Sequence, residues 1–113
     1  MQIKQGDIYW VDFEPSTGKE YKKKRPALVL QGKEISETSP YITVMPLTTK
    51  LQQWQEYDIF VSRDHKNNLF KDSVIKVQQI ATFDRKRVLG KIGEANSPTL
   101  RKVRGYLRKH FKL

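Results

Sequence analysis

Two residues in the first half of the chain, Arg25 and Thr48, carry side chains that could hold a phosphate group. Arg25 follows a run of lysines and precedes Pro26, so it stands where a basic loop passes into an extended apolar run. Its guanidinium presents a planar set of N–H donors that matches phosphate oxygens. Thr48 closes a later apolar run and can donate a hydroxyl hydrogen bond. Taken alone, a surface arginine at a strand start and a β-forming threonine at a strand end explain both residues without any chemistry.

A site made from arginine, hydroxyl and amide groups could cleave RNA without a metal ion. The ribose 2′-hydroxyl is a built-in nucleophile, so the protein need only align it with the phosphorus, stabilise charge on the phosphoryl oxygens and assist proton transfer. DNA lacks that nucleophile. Because a guanidinium stays protonated at neutral pH, charge stabilisation is the safer role for Arg25, with Thr48 orienting the phosphate. The sequence does not identify the base, and Glu20 is a speculative candidate for it.

Other kinds of chemistry find little support in the residue types. The chain has no cysteine, which excludes disulfides, thiolate zinc sites and cysteine nucleophiles. The aspartates are scattered and the histidines, His65 and His110, lack ligand spacing, so we expect neither a metal nor a cofactor. His65 and His110 could act together as an acid–base pair, but the sequence favours the interpretation that both are simply exposed side chains.

The charge of the chain indicates its partners. Among 113 residues, 22 are Lys or Arg and 12 are Asp or Glu, which gives a net charge of +10. Such a chain attracts polyanions, with nucleic acid ahead of an anionic membrane or an acidic protein. A lysine-rich soluble surface is the plain alternative. The N-terminus has no apolar leader and no run could span a bilayer, so we expect a cytoplasmic protein with one domain, 1–113.

The hydrophobic pattern predicts a mainly β protein, a small barrel with a C-terminal α-helix. Strands are expected at 8–13, 26–31, 41–48, 57–61, 73–80 and 87–92. Pro46 predicts an edge, a bulge or a strand end within the third run. Ser97 and Pro98 predict the start of the helix. Its apolar stripe comprises Leu100, Val103, Leu107 and Phe111. The cationic remainder of the helix is expected to face solvent.

Several motifs, taken in order, resemble the MazF/PemK toxins of bacterial type II toxin–antitoxin systems. The N-terminal motif is Gly6-Asp7-Ile8-Tyr9-Trp10-Val11-Asp12-Phe13, followed by Pro15, Gly18, Glu20 and then Arg25-Pro26-Ala27-Leu28-Val29-Leu30. The later motifs are Pro46-Leu47-Thr48, Asp72-Ser73-Val74-Ile75, Gln79-Ile80, Thr82 and Asp84. They extend over most of the chain with natural spacing, and the ordered set is more specific than any single motif.

The resemblance implies an SH3-like barrel, a homodimer, and a metal-independent, sequence-specific endoribonuclease. Such an enzyme would cleave single-stranded RNA and leave a 2′,3′-cyclic phosphate. Arg25 and Thr48 take the positions of the catalytic pair, and the loop at 16–24 would cover the RNA. The implied partner is a cognate acidic antitoxin whose disordered tail occupies the RNA groove, which suits a net charge of +10.

Residues expected to bind RNA lie in the basic loop, after the third strand and in the later motif. They are Lys19, Glu20, Lys22, Lys23, Lys24, Thr49, Trp54, Gln78 and Gln79. The lysines would recruit RNA electrostatically. Trp54 lies in a polar loop, where it could stack on an unpaired base or pack as a lid on the barrel. Trp10, inside a strand, is expected in the core or at the dimer interface.

Three features depart from the family pattern and bear on activity. Gln78 stands where relatives often have an acidic residue, and Ala81 stands where arginine is frequent. Lys19 and the lysines at 22–24 replace a more polar, glycine-containing stretch. Two other functions stay open, of which the second is favoured by Gln78 and Ala81. One is a toxin of the same barrel superfamily that inhibits a protein such as DNA gyrase, and the other is a non-catalytic nucleic-acid-binding barrel.

Overall fold

The structure is a computed structural model that describes residues 2–13 and 24–113. Within these ranges the chain forms seven β-strands and two α-helices. The strands are β1 (Asp7–Asp12), β2 (Lys24–Val29), β3 (Tyr41–Thr48), β4 (Ile59–Val61), β5 (Ser73–Ile75), β6 (Ala81–Asp84) and β7 (Val88–Glu94). The helices are α1 (Lys33–Thr38) and α2 (Ser97–Phe111), and 3₁₀ turns occur at Leu51–Gln53, Val77–Gln79 and Arg85–Arg87. Neither described α-helix has the length and apolar composition needed to cross a membrane.

The long strand β3 organises the sheet, in which every pair of strands is antiparallel. The order is β4-β5-β3-β2-β1-β7, and β6 also pairs with β3. One edge of β3 pairs with β2, while its other edge pairs with β6 at 41–44 and with β5 at 47–48. Pro46 lies between these two ladders, where that edge needs no N–H donor. The irregularity expected at Pro46 is therefore a change of pairing partner inside the strand, not a strand end.

The fold is mainly β and barrel-like, as expected, but its sheet does not close into a barrel. In the described part of the chain, no ladder joins β4 to β7, the two ends of the strand path. The segment that follows β4 covers this seam, and the Glu94 N–H donates to the Lys66 carbonyl at 2.9 Å. Gly93 permits this close approach, since a Cβ there would overlap the Asn67 carbonyl and lie 2.6 Å from the Lys66 carbonyl oxygen.

Some elements differ from those predicted. Helix α1 and strand β6 were not anticipated, because α1 buries only Ser36 and β6 has no fully buried residue to mark it as a strand. The strand expected at 73–80 ends at Ile75. There the Lys76 N–H donates to the Pro46 carbonyl at 2.9 Å, and the chain turns into a 3₁₀ helix.

Helix α2 covers one end of the sheet. Its N-cap is Asn96, not the serine that follows, and the Asn96 side chain accepts a hydrogen bond from the Thr99 N–H at 2.9 Å. Val103 is buried in the core, and Leu107 packs against the same cluster. Phe111 is 53% exposed, so the apolar stripe ends one helical turn earlier than the sequence predicts.

Candidate active site

Arg25 and Thr48 lie on neighbouring antiparallel strands, β2 and β3. The ladder between these strands pairs Ala27 with Pro46. The same register, continued outward, sets Arg25 opposite Thr48. Both side chains are half-buried, and both line an open cavity of about 530 Å³. Strand pairing thus brings together the two residues that the sequence suggested for chemistry.

The cavity lies between the end of β3, the segment at 49–58 and the 3₁₀ turn after β5. Its lining consists of cationic, hydroxyl, amide and apolar groups: Arg25, Pro46, Leu47, Thr48, Lys50, Gln53, Trp54, Gln55, Lys76 and Gln79. None of these described lining residues carries a carboxylate, so the wall does not repel a phosphate.

Across residues 2–13 and 24–113, no three histidine, aspartate or glutamate side chains come together as possible metal ligands.

A second cavity, of about 580 Å³, shares Arg25 and Thr48 with the first. Its surface is mainly apolar and includes Trp10, which is 43% exposed, and Phe70, which is 76% exposed. Thr48 Oγ1 accepts a hydrogen bond from the Lys50 N–H at 3.1 Å. This contact leaves the hydroxyl hydrogen of Thr48 available to donate to a ligand at the boundary of the two cavities.

A family model for PemK-like, MazF-like toxins of type II toxin–antitoxin systems matches residues 4–111. The chain belongs to the MazF/PemK toxin family. It is also 35% identical over 104 residues to Endoribonuclease EndoA of Bacillus subtilis (strain 168), a match that covers 91% of this chain and 89% of that protein. The family predicted from the ordered motifs is confirmed, and the predicted class of enzyme agrees with that relative.

Solved structures share the fold of this MazF/PemK toxin. Crystalline MazF (Form-I) from Deinococcus radiodurans has a TM-score of 0.82 at 24% identity, covering 100% of this chain and 99% of that chain. An endoribonuclease in complex with its cognate antitoxin, from Mycobacterial species, has a TM-score of 0.72 at 16% identity, covering 99% and 95%. At these identities the likeness is one of fold, and it confirms the mainly β architecture with a C-terminal helix.

The described site of this MazF/PemK toxin contains some of the residues predicted to bind RNA. Trp54 and Gln79 line the first cavity, and Lys24 and Thr49 line the second. Gln78 is exposed and lines neither cavity, because the 3₁₀ turn directs adjacent side chains to different sides. Lys19, Glu20, Lys22 and Lys23 lie outside the described residues. The RNA-binding roles of all these residues remain predictions.

Sequence reasoning missed Lys76, which also lines the first cavity. Its side chain is only 9% exposed, and its Nζ lies 2.6 Å from Asp58 Oδ2. In the sequence Lys76 stands between Ile75 and Val77, where it suggests an ordinary outward-facing residue of a strand. The partner carboxylate is 18 residues away in the sequence. No local pattern could have indicated that Lys76 pairs with Asp58. The position of Lys76 between two apolar residues was nevertheless a signal that its side chain could be buried.

Proposed function

We propose that this toxin cleaves single-stranded RNA without a metal ion, at the cavity that Arg25 and Thr48 share. The observation that carries the proposal is that Arg25 and Thr48 line the same two cavities, as the register of β2 and β3 continued outward from Ala27 and Pro46 would place them. Both border a cavity lined by cations and amides. A phosphate bound between them would meet charge-assisted donors from one strand and a hydroxyl donor from the other.

The reaction needs no group beyond the RNA and the protein. The 2′-oxygen of one nucleotide attacks the adjacent phosphorus, the bond from phosphorus to the 5′-oxygen breaks, and a 2′,3′-cyclic phosphate and a 5′-hydroxyl result. The 2′-hydroxyl proton passes to solvent water and the departing 5′-oxygen takes one proton from solvent, so the number of protons is unchanged overall. Arg25 stabilises the charge that grows on the non-bridging oxygens, and Thr48 orients the phosphate through its hydroxyl hydrogen.

Recognition of the RNA uses the groups around this phosphate. Trp54 is 54% exposed at the cavity and offers an aromatic face to an unpaired base. The amides of Gln53, Gln55 and Gln79 can bind the edges of bases, which supports cleavage at a preferred short sequence. Lys24 adds a cationic group at the second cavity.

The proposed partners are a second copy of the chain and an acidic antitoxin, and the proposed location is the cytoplasm, where mRNA is available. Trp10 and Phe70 form an exposed apolar surface beside the site, which supports burial against a second copy. An endoribonuclease chain from a structure in complex with its cognate antitoxin shares this fold. The net charge of +10 suits an acidic partner that competes with RNA for the cavity.

The test is cleavage of a long RNA of mixed sequence by the purified protein in EDTA. We expect new ends at one short motif, each with a 2′,3′-cyclic phosphate, and no cleavage of a substrate that is 2′-deoxy at the scissile nucleotide. Arg25→Ala should abolish cleavage, whereas Arg101→Ala, on the exposed face of α2, should not. Cleavage retained by Arg25→Ala would refute the site.

The same preparation separates the other two functions. RNA binding without new ends would favour a non-catalytic barrel. Loss of DNA gyrase activity with intact RNA would favour a toxin that acts on a protein. The described residues offer no specific feature that favours either one.

A further inference from the structure

Lys76 connects the elements that surround the candidate active site. Its main-chain N–H donates to the Pro46 carbonyl at 2.9 Å, and its own carbonyl accepts from the Gln79 N–H at 2.9 Å. Its Nζ donates to the Gln53 carbonyl at 3.1 Å and to Asp58 Oδ2 at 2.6 Å. One residue therefore joins the end of β3, the 3₁₀ turn that carries Gln79, and the segment at 49–58.

The ion pair between Lys76 and Asp58 is buried. The Lys76 side chain is 9% exposed and the Asp58 side chain is 1% exposed. A charge removed from water needs its partner, because an unpaired buried charge is strongly unfavourable. The pair therefore favours one arrangement of the segment over arrangements in which the two charges separate.

Asp58 passes this restraint to the segment that carries Trp54. Asp58 Oδ2 accepts from the Gln55 N–H at 2.9 Å, and the Asp58 N–H donates to the Gln55 carbonyl at 3.1 Å. These bonds close a turn that begins directly after Trp54. Tyr57, inside the turn, has a φ of 75°, which a non-glycine residue adopts only when its surroundings require it.

Apart from Tyr57, whose ring centroid lies 5.8 Å from that of Tyr106 on α2, the segment has little other packing to hold it. Every residue from 51 to 57 is exposed, and Trp54 itself is 54% exposed. Its internal hydrogen bonds are local, such as that from the Gln53 N–H to the Lys50 carbonyl at 3.1 Å. An exposed segment with local bonds has low local stability. A buried ion pair at its base is therefore well placed to determine where Trp54 lies.

We propose that Lys76 and Asp58 form a latch that holds Trp54 at the cavity for stacking on an RNA base next to the cleaved phosphate. The latch sets the affinity for RNA and the preference for that base, and it leaves the rate of the chemical step largely unchanged. Lys76 and Asp58 are thus positioning residues. This inference rests on the proposed RNA-cleaving function of the cavity.

The test compares the wild type with Lys76→Met/Asp58→Asn, which removes both charges, conserves both shapes and leaves the net charge unchanged. The probe is an RNA with a 2′-deoxy nucleotide at the scissile position, which binds without being cleaved. We expect its dissociation constant to rise about tenfold, within the range of a lost base–aromatic stack. With cleavable RNA, KM should rise similarly and kcat should stay within about twofold.

A spectroscopic readout reports on the latch without RNA cleavage. The chain has two tryptophans, so protein labelled with 5-fluorotryptophan should give two fluorine resonances, with that of Trp54 assigned by its absence in Trp54→Phe. In the double variant the Trp54 resonance should shift and the Trp10 resonance should not. A toxin that proved unable to cleave RNA would still report on the latch through this shift and through binding of the deoxy probe.

Coupling to Trp54 decides whether the latch acts through that side chain. In a Trp54→Ala background, Lys76→Met/Asp58→Asn should cause no further loss of affinity. The matched control is Lys33→Met/Glu37→Gln, which removes an exposed pair 3.9 Å apart on α1 and should change neither affinity nor resonance.

Three outcomes would overturn the inference. A fall in kcat with unchanged KM would mean that Lys76 acts on the phosphate. A full additional loss of affinity in the Trp54→Ala background would mean that the Lys76–Asp58 pair does not act through Trp54. An unshifted Trp54 resonance would mean that the pair does not determine the position of that side chain. If the first double variant does not fold, Lys76→Leu/Asp58→Leu, which fills the site with apolar groups, must give the same pattern.

Discussion

The register that pairs Ala27 of β2 with Pro46 of β3, continued two residues outward, sets Arg25 opposite Thr48, and both residues border the same two cavities. Each belongs to a strand, so their separation is determined by sheet geometry and not by the conformation of a loop. Sites carried on strands hold their groups more closely to one geometry than sites on loops.

The rate of cleavage should depend more on the hydroxyl group of Thr48 than on the shape of its side chain. Thr48→Val keeps the β-branched form but removes the oxygen that accepts from the Lys50 N–H at 3.1 Å. We expect kcat to fall about 10–100-fold, toward the loss caused by removing one donor to transition-state charge. Thr48→Ser, which keeps the hydroxyl, should stay within about fivefold of the wild type. Single-turnover cleavage measures both variants.

The matched control for Thr48 is another threonine of β3. Thr43 Oγ1 lies 2.8 Å from Thr82 Oγ1, away from both cavities. Thr43→Val should leave cleavage unchanged. If Thr48→Val cleaved as fast as Thr43→Val, the hydroxyl would have no part in the reaction.

Replacing one partner of the Lys76–Asp58 ion pair should destabilise the fold more than replacing both partners. Lys76→Met alone leaves the 1%-exposed Asp58 carboxylate without its ammonium partner, and we expect a loss of about 3–5 kcal/mol in the free energy of unfolding. Lys76→Leu/Asp58→Leu should lie within about 1–2 kcal/mol of the wild type, because no unpaired charge remains. Urea unfolding at one protein concentration measures both. Equal losses for the single and double variants would contradict this account.

Stability should fall at both pH extremes through a cluster of ion pairs near the N-terminus. Hydrogen bonds from Lys91 and then Lys4 hold the pKa of Glu94 below its ordinary value of 4.5. The Glu94 contribution is therefore present above pH 4.5 and is lost as the pH falls through the lower folded pKa. A side-chain hydrogen bond to Asp7 and then one to Glu94 raise the pKa of Lys4, and one to Glu94 raises that of Lys91. Those contributions are full below pH 10.5 and are lost as the pH rises through the raised pKa values.

The size of this effect should be small, because the side chains of Lys4, Lys91 and Glu94 are 47%, 40% and 39% exposed. Each contribution should be below about 1 kcal/mol. Thermal unfolding of Glu94→Gln as a function of pH should show a flatter decline in acid than the wild type. An identical decline in both proteins would remove Glu94 from the explanation.

A side chain at Gly93 should strain the covered seam of the sheet. The atoms that a Cβ would meet there belong to the backbone at Lys66 and Asn67, which cannot swing aside. Gly93→Ala should therefore lower the free energy of unfolding by about 1–3 kcal/mol. Gly90→Ala, in the same strand with open space around its Cβ, should change it by less than about 0.5 kcal/mol. Equal effects of the two variants on denaturant unfolding would contradict the packing seen at the seam.

The lysines at 22–24 should recruit RNA without taking part in the chemistry. Replacing all three by Gln should raise KM while kcat at saturating RNA stays near the wild-type value. The dependence of binding on salt should weaken by roughly 0.7 log units per lost phosphate contact for each log unit of salt. Cleavage assays over a salt series measure both. If the variant failed to cleave at saturating RNA, the catalytic site would include one or more of these lysines.

Much of the fold followed from local patterns in the sequence. β3 matches the predicted 41–48 run, and α2 begins where Pro98 indicated, because apolar periodicity and capping residues act over a few neighbours. The ordered motifs identified the toxin family and singled out Arg25 and Thr48. The charge of +10 indicated a polyanionic partner, and charge does not depend on the fold.

Only the tertiary structure decided how these parts meet. Alternation along a strand tells which face a side chain occupies, but it does not tell which strand is the neighbour or in what register. For that reason the position of Arg25 opposite Thr48, the change of partners at Pro46 and the open seam came from the structure alone. The burial of Lys76 against Asp58 belongs with them, because a charge can be buried only where the fold supplies a distant partner.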